Sequence, residues 1–442
     1  MAKQSTRYIC SECTYQTIKW MGCCPDCNNY DTIHPATASS LQNNIVAARL
    51  TDLASVTTKS SQRMITGIQE WDRVTGGGIV PGSFLILTGD PGIGKSTLLL
   101  HIAQKLSEHH RVFYFSSEES LEQVKSRAER LNVFSSNLLF SDNPNLEAIV
   151  GACISGKPAV VIIDSIQNCF TTESVSLSGS IGQLKEAAFK LMRLAKENTI
   201  AVLASGHITK EGVMAGPKTL EHLVDAVFYL QGEDRWQTRI LRAVKNRFGT
   251  VSELGFFTME EQGLTEMPNI NEHLLEELSN SPGSVLISFI EGSRPLLIEL
   301  QALALQSKFG IPQRVVSGID HNQVVLIAAI LEKYLQIKFS TQDIFFKISG
   351  SFKIKSAGAD LGIALALLSS YFQKPLPEKS LALGEVSLTG LIKPINQMAI
   401  HVAEAEKFGL EKLILPQNQK IKTSCSVLHF SHVYELLSLF GE

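Results

Sequence analysis

Between Val80 and His101 the chain reads VPGSFLILTGDPGIGKSTLLLH, in which Gly89, Gly94, Lys95 and Ser96 satisfy the pattern G-x-x-x-x-G-K-[ST]. The chemistry this spacing suits is the holding of a polyphosphate. Glycines let the backbone curl until its N–H groups converge, and a helix N-terminus adds partial positive charge. Gly89, Asp90, Pro91, Gly92, Ile93, Gly94, Lys95, Ser96 and Thr97 would form the cradle. Lys95 would reach the β- and γ-phosphates, and the Ser96 hydroxyl would ligate Mg²⁺. Two carboxylates complete the set. Asp164 ends VVIID, where a carboxylate would hold the Mg²⁺ shell, and Glu118 follows FYFSS, where it would polarise an attacking water. Glu119 competes for that second role.

A different chemistry is written near the start. Of eight cysteines, five fall between positions 10 and 27. Cys10, Cys13, Cys24 and Cys27 form C-x2-C-x10-C-x2-C, two thiolate pairs suited to tetrahedral Zn²⁺. So short a segment cannot bury a core, and the metal would supply its folding energy. Cys23 is a spare. A redox dithiol would need a strand–helix setting that is missing here. Trp20 and Tyr30 could stack on bases, but at least one is expected to pack beside the zinc.

The elements that must position these groups follow from the pattern of apolar residues. Phe84–Leu87 before the loop reads as a strand and Leu98–Leu106 after it as a helix. Strand patterns at Arg111–Ser116, Leu138–Phe140, Ala159–Ile163 and Ile200–Ser205 alternate with helix patterns at Leu121–Leu131 and about Leu184–Glu197. Continuous apolar strands between helices mean an α/β domain with a mostly parallel sheet, whose ligands sit at the carboxyl ends of the strands. Residues 1–35 read as the zinc element, 36–60 as a small, polar linker, 61–270 as the nucleotide domain and 271–442 as a further α/β domain.

Composition bounds the rest. A chain of 442 residues is long for one core, and 44% hydrophobic with 19% charged residues is ordinary for a globular protein. A net charge of −3 excludes a globally basic protein, so any nucleic-acid site must be a local basic surface. MAKQSTRYIC lacks the apolar core of a signal peptide, and no run approaches the ~18 apolar residues of a spanning helix. A cytoplasmic protein with no membrane contact is expected.

Taken in order, CxxC…CxxC, GDPGIGKST, FSSEES with RAERL, IIDSIQ, GHITKEG and KNRFG resemble the bacterial RadA (Sms) family from end to end. The resemblance implies a RecA-like phosphate-loop ATPase between a zinc ribbon or knuckle and a Lon-protease-like domain. It also implies a DNA-stimulated ATPase that works as a hexameric ring on single-stranded and branched DNA, promoting branch migration after RecA-driven strand invasion. ATP, Mg²⁺ and Zn²⁺ would be the cofactors, and RecA and a replicative helicase the protein partners. By the same resemblance Lys95 and Ser96 bind ATP and Mg²⁺, Asp164 is the Walker-B acid, Glu118 activates water and His207 senses the γ-phosphate. Loops Phe170–Gln183 and Ile208–Leu220, the latter with Lys210, Gly212, Gly216 and Lys218, would face DNA. Lys245 and Arg247 of KNRFG would be cations offered to ATP on a neighbouring subunit, or to DNA.

The C-terminal stretch raises a rival function, since Gly384–Pro416 looks like the proteolytic domain of Lon. A Ser–Lys dyad needs a hydroxyl nucleophile and an amine base. The nucleophile's place falls on Gly358 and the base's on Ala399, with Ser356 and Lys355 nearby. SAGADLG also replaces the family's EPAADLA-like run. A proteolytically inactive domain is expected, acting as a scaffold for ring assembly with a basic DNA face including Arg294, Lys353 and Lys355. KaiC-like signalling ATPases share the glycine-rich lead-in but lack the zinc knuckle and the terminal domain.

Overall fold

A computed structural model describes residues 8–12, 15–35, 52, 62–172, 180–207, 217–232, 238–276, 278–308, 310–349 and 352–441. The chain divides into two compact units, residues 1–60 and 61–442. In the first, β1 (Tyr8–Cys10) is the centre of a three-stranded antiparallel sheet, flanked by β2 (Gln16–Thr17) and β3 (Ile33–Pro35). Its small core is Cys10, Cys24 and Ile33, with Tyr8, Tyr15, Met21 and Cys27 against it. Trp20 and Tyr30 are 59% and 78% exposed, so neither is buried beside the cysteines as expected.

The second unit is built on a nine-stranded sheet. Its parallel part comprises β4 (Phe84–Gly89), β5 (Val112–Ser116), β6 (Leu138–Ser141), β7 (Val160–Asp164), β8 (Ala201–His207) and β9 (Ala226–Gly232). An antiparallel extension adds β10 (Thr238–Asn246), β11 (Leu254–Glu260) and β12 (Gly263–Glu266). The spatial order is β12-β11-β10-β9-β4-β8-β7-β5-β6. Period two decides which residue meets which layer. Leu85 and Leu87 face α1 (Gln69–Thr75), α2 (Lys95–Ser107) and α3 (Leu121–Arg130). Phe84 and Ile86 face α4 (Leu146–Gly156), α5 (Ile181–Asn198) and α6 (Pro217–Leu223). Both faces are covered, which is why the strands read as unbroken apolar runs.

Three differences from the sequence expectation have local causes. Helix α5 starts at Ile181 because Ser180 accepts a hydrogen bond from the Gln183 N–H as its N-cap, so the last residues of the expected loop, Ile181–Gln183, form the first turn of a helix. Helix α4 was not expected, although Asn145 caps it through the Ala148 N–H. The antiparallel strands β10–β12 were not distinguished from the parallel core.

Beyond α7 (Ile270–Glu276), a four-stranded sheet has the order β13-β14-β16-β15. Its strands are β13 (Ser284–Glu291), β14 (Arg294–Gln306), β15 (Arg314–Ser317) and β16 (Gln342–Ile348). Helices α8 (His321–Leu335) and α9 (Asp360–Phe372) share its core, and α10 (Met398–Lys407) lies in a smaller apolar cluster with Leu286 and Leu297. That core takes in Ile240, Leu254 and Phe256 from the nine-stranded sheet, so the two sheets are joined by shared packing. No helix among the described residues is long and apolar enough to cross a membrane.

Candidate nucleotide site and metal centre

The phosphate loop fills the step from β4 to α2. A Cβ at Gly89 would collide with the Leu230 carbonyl of the adjacent strand, and one at Gly94 would lie 2.7 Å from the Met259 methyl. Gly94 also sits at φ +114°, where a side chain is strained. Lys95 is 5% exposed, and its ammonium donates to the carbonyls of Gly89 at 3.0 Å and Asp90 at 2.9 Å. Burial pushes its pKa down, and the charges of Asp164, Glu118 and Asp90 oppose that shift. Ser96 and Thr97 follow, half-buried, in the first turn of α2.

Asp164 ends β7 with its carboxylate buried. One oxygen accepts the Tyr114 hydroxyl at 2.9 Å and the other the Ser205 hydroxyl at 2.6 Å. Burial and the neighbouring carboxylate raise the Tyr114 pKa well above its ordinary value, so Tyr114 stays a donor. Two residues past β5, Glu118 is exposed and its charge reaches Lys95. Glu119 instead forms an ion pair with Arg127 of α3. His207 closes β8 in register with Gly89, placing its backbone beside the loop. Sequence reasoning missed Tyr114, Ser205 and Arg239, whose Nε donates to the Ile93 carbonyl at 3.1 Å. None carries a local signal, because each partner is more than 40 positions away. Residues 173–179 and 208–216 lie outside the described residues, taking with them most of the two expected DNA-facing loops, including Lys210, Gly212 and Gly216.

KNRFG stands elsewhere. Asn246 pairs with Ala226, and Ala226 with Leu85, whereas Gly89 pairs with Leu230. The end of β10 is thus four residues, about 13 Å, down the sheet from the phosphate loop. Strand β10 reaches it with one extra residue relative to β9, between Ala243 and Lys245. Lys245 donates to the carbonyls of Glu221 and, at 2.9 Å, Val224, at the end of α6. Desolvation, then the charge of Arg247, lowers its pKa. The Arg247 side chain is 57% exposed, 3.4 Å from Asp225. Asn246 donates to the carbonyls of Val74 and Thr75, and Arg63 donates to that of Phe248 at 2.7 Å.

In the first unit the Sγ atoms of Cys10, Cys24 and Cys27 lie within 4.8 Å of one another, and Cys13 lies outside the described residues. The 3.7 Å separation of Cys10 Sγ from Cys27 Sγ matches the edge of about 3.8 Å that Zn–S bonds of about 2.3 Å impose on a tetrahedron. Cys23 turns its sulfur toward the Cys24 carbonyl.

At the place of the Lon-type dyad, Gly358 and Ser356 line a cavity of about 690 Å³ together with His401, Ser288, Lys353 and Lys355. The Ser356 hydroxyl accepts from the Gly358 N–H at 3.2 Å, capping a 3₁₀ turn. His401 Nδ1 is 2.8 Å from the Ser288 hydroxyl, and burial pushes the ring's pKa down to about 4. Arg294 is not part of a basic outer face. Its guanidinium is 13% exposed and grips Glu70 of α1 at 2.7 and 3.0 Å. Lys353 and Lys355 remain exposed.

Known proteins give this geometry a lineage. Residues 8–35 match a family described as a rubredoxin metal-binding domain, 56–213 an AAA domain and 309–419 the ChlI subunit of Mg-chelatase. The DNA repair protein RadA of Listeria monocytogenes is 41% identical over 427 residues, covering 95% of this chain and 93% of the relative. Its counterpart in Halalkalibacterium halodurans is 39% identical over 453 residues, covering 99% of both. A solved DnaB-like replicative helicase is similar over 47% of this chain and 62% of its own, at 16% identity and a TM-score of 0.42. With likeness running through ribbon, ATPase and terminal domain alike, the chain belongs to the RadA family.

Proposed function

We propose that this protein is a DNA-repair ATPase, stimulated by single-stranded and branched DNA, whose active sites are completed between subunits of a ring. ATP is the substrate. The phosphate loop holds its phosphates, and Lys95 exchanges two carbonyl partners for the β- and γ-phosphates. The hard oxygens of Ser96 and Asp164 suit Mg²⁺, which when bound neutralises charge on the phosphates. Tyr114 and Ser205 fix the Asp164 carboxylate from behind. Glu118 orients the attacking water, Glu119 being tied to Arg127, and His207 reports on the γ-phosphate. Cys10, Cys13, Cys24 and Cys27 hold a structural Zn²⁺.

The observation that carries the ring is the position of KNRFG. A group about 13 Å down the sheet from the phosphate loop cannot reach its own subunit's nucleotide, so Arg247, with Lys245 beside it, would serve a neighbour's. A cation supplied from a neighbour is the logic of an arginine finger. A hexamer driving branch migration with RecA, and meeting a replicative helicase, fits this arrangement in the cytoplasm. The domain limits are 1–35, 36–60, 61–270 and 271–442, with the last domain proteolytically silent because Gly358 and Ala399 stand where a Ser–Lys dyad needs its nucleophile and base.

Mixing two inactive proteins tests the reading. Lys95→Ala and Arg247→Ala should each be nearly inactive, yet mixed rings contain interfaces joining an intact phosphate loop to an intact Arg247. ATPase activity should partly return. Co-assembly without any return places Arg247 outside the neighbour's site.

A further inference from the structure

Helix α1 is a rod of seven residues, about 10 Å long, held hard at both ends. At its far end Asn246 donates to the Val74 and Thr75 carbonyls, and Arg63 clasps the carbonyls of Gly76 and Phe248. A Cβ at Gly76 would come within 3.0 Å of the Phe248 carbonyl and 3.1 Å of Gly249, so the KNRFG turn lies directly on the helix end. At the near end Glu70, 1% exposed, takes two prongs from Arg294 and accepts the Phe256 N–H at 3.0 Å. The Glu70 N–H donates to Glu266 at 2.8 Å, and Arg294 also lies over the Phe256 ring at 5.5 Å. Arg294 opens β14, whose partners β13 and β16 belong to the C-terminal sheet.

A buried ion pair is a weak source of stability, because desolvation offsets much of its attraction. What it supplies well is a fixed geometry, and a bidentate guanidinium fixes orientation as well as distance. We infer that Arg294 is a positioning residue for hydrolysis: through Glu70 and α1 it sets where the KNRFG turn stands, so the C-terminal domain governs the charge offered to the neighbouring subunit. The inference rests on the reading that Arg247 acts on a neighbour's nucleotide.

The test uses the full chain and ATP turnover on single-stranded DNA. Arg294→Gln should lower kcat about tenfold and leave KM unchanged, since the side-chain hydrogen bonds on the subunit's own phosphate loop come from Lys95 and Arg239 and not from Arg294 or Glu70. The same substitution made in an Arg247→Lys background, which retains a shortened cation, should cost less than about twofold. Equal costs in the two backgrounds overturn the inference, because residues this far apart that act independently add. Arg294→Lys keeps the charge and serves if the glutamine variant fails to fold; its loss should be smaller and equally dependent on Arg247. Amide exchange at Phe248 and Gly249 should quicken in either Arg294 variant while the phosphate loop is unaffected, and unchanged exchange there also overturns the inference. If Arg247→Lys alone turns over like the parent, the reading beneath fails, and this inference goes with it.

Discussion

The phosphate loop and the C-terminal cavity are both polar clefts in α/β domains, and they differ in what their polar groups still lack. Around Lys95 the charges converge without cancelling: a buried ammonium rests on two carbonyls while Asp164, Glu118 and Asp90 act on it from a distance. In the cavity the hydroxyls and the imidazole at the dyad's place have partners. Ser356 caps a turn, His401 and Ser288 share a hydrogen bond, and no hydroxyl stands where Gly358 has none to offer. A large volume lined with serine, histidine and lysine is not in itself a reactive site. What makes one is a set of groups whose best partner is a substrate.

The contrast can be broken from either side. Lys95→Ala should reduce kcat/KM for ATP by about 10²–10³-fold, as removal of a preorganised charge donor does, with weakened nucleotide binding in a filter or fluorescence assay. Glu118→Gln should still bind ATP and turn over about 10²-fold more slowly, while Glu119→Gln stays active; the opposite pattern moves the water-activating role to Glu119. In the cavity the expected effect is on stability. Burial holds His401 down to about 4, against about 6.5 in an unfolded chain. The unfolded state therefore takes the proton first, so stability is lost as pH falls from about 6.5 towards about 4. That loss is on the order of 3 kcal/mol, and His401→Gln should flatten the slope of melting temperature against pH in this window. Smallest of all, Ser356→Ala should leave ATP turnover unchanged and remove no peptidase activity, since casein digestion should be absent in both proteins.

Much of this is legible in the sequence. The phosphate loop and the strands β4 and β7 declare themselves because local spacing and unbroken apolar runs are sequence-local signals. Cys24 rather than Cys23 joins the thiol cluster, as the two-residue spacing to Cys27 implies. The failures share a cause. Tyr114 and Ser205 reach Asp164 across 50 and 41 positions, Arg239 reaches the loop across 146, and Arg294 meets Glu70 across 224. Such pairings are set by strand order, which periodicity does not encode. Arg294 was therefore assigned to a solvent-facing basic surface when its charge is spent inside.

The extra residue in β10 has a consequence for how KNRFG is recognised in other chains. Val244 is the position that β9 leaves unmatched, and it puts Lys245 opposite Val227 and Asn246 opposite Ala226. Because faces alternate every residue, a regular ladder with Val244 opposite Val227 would exchange the sides on which Lys245 and Asn246 stand. A chain whose β10 paired without that bulge would keep all five letters of the signature. Its lysine would face away from the carbonyls of α6, and its asparagine away from the end of α1. The spelling of the motif and its meaning are separable, and the residue that joins them lies one place upstream.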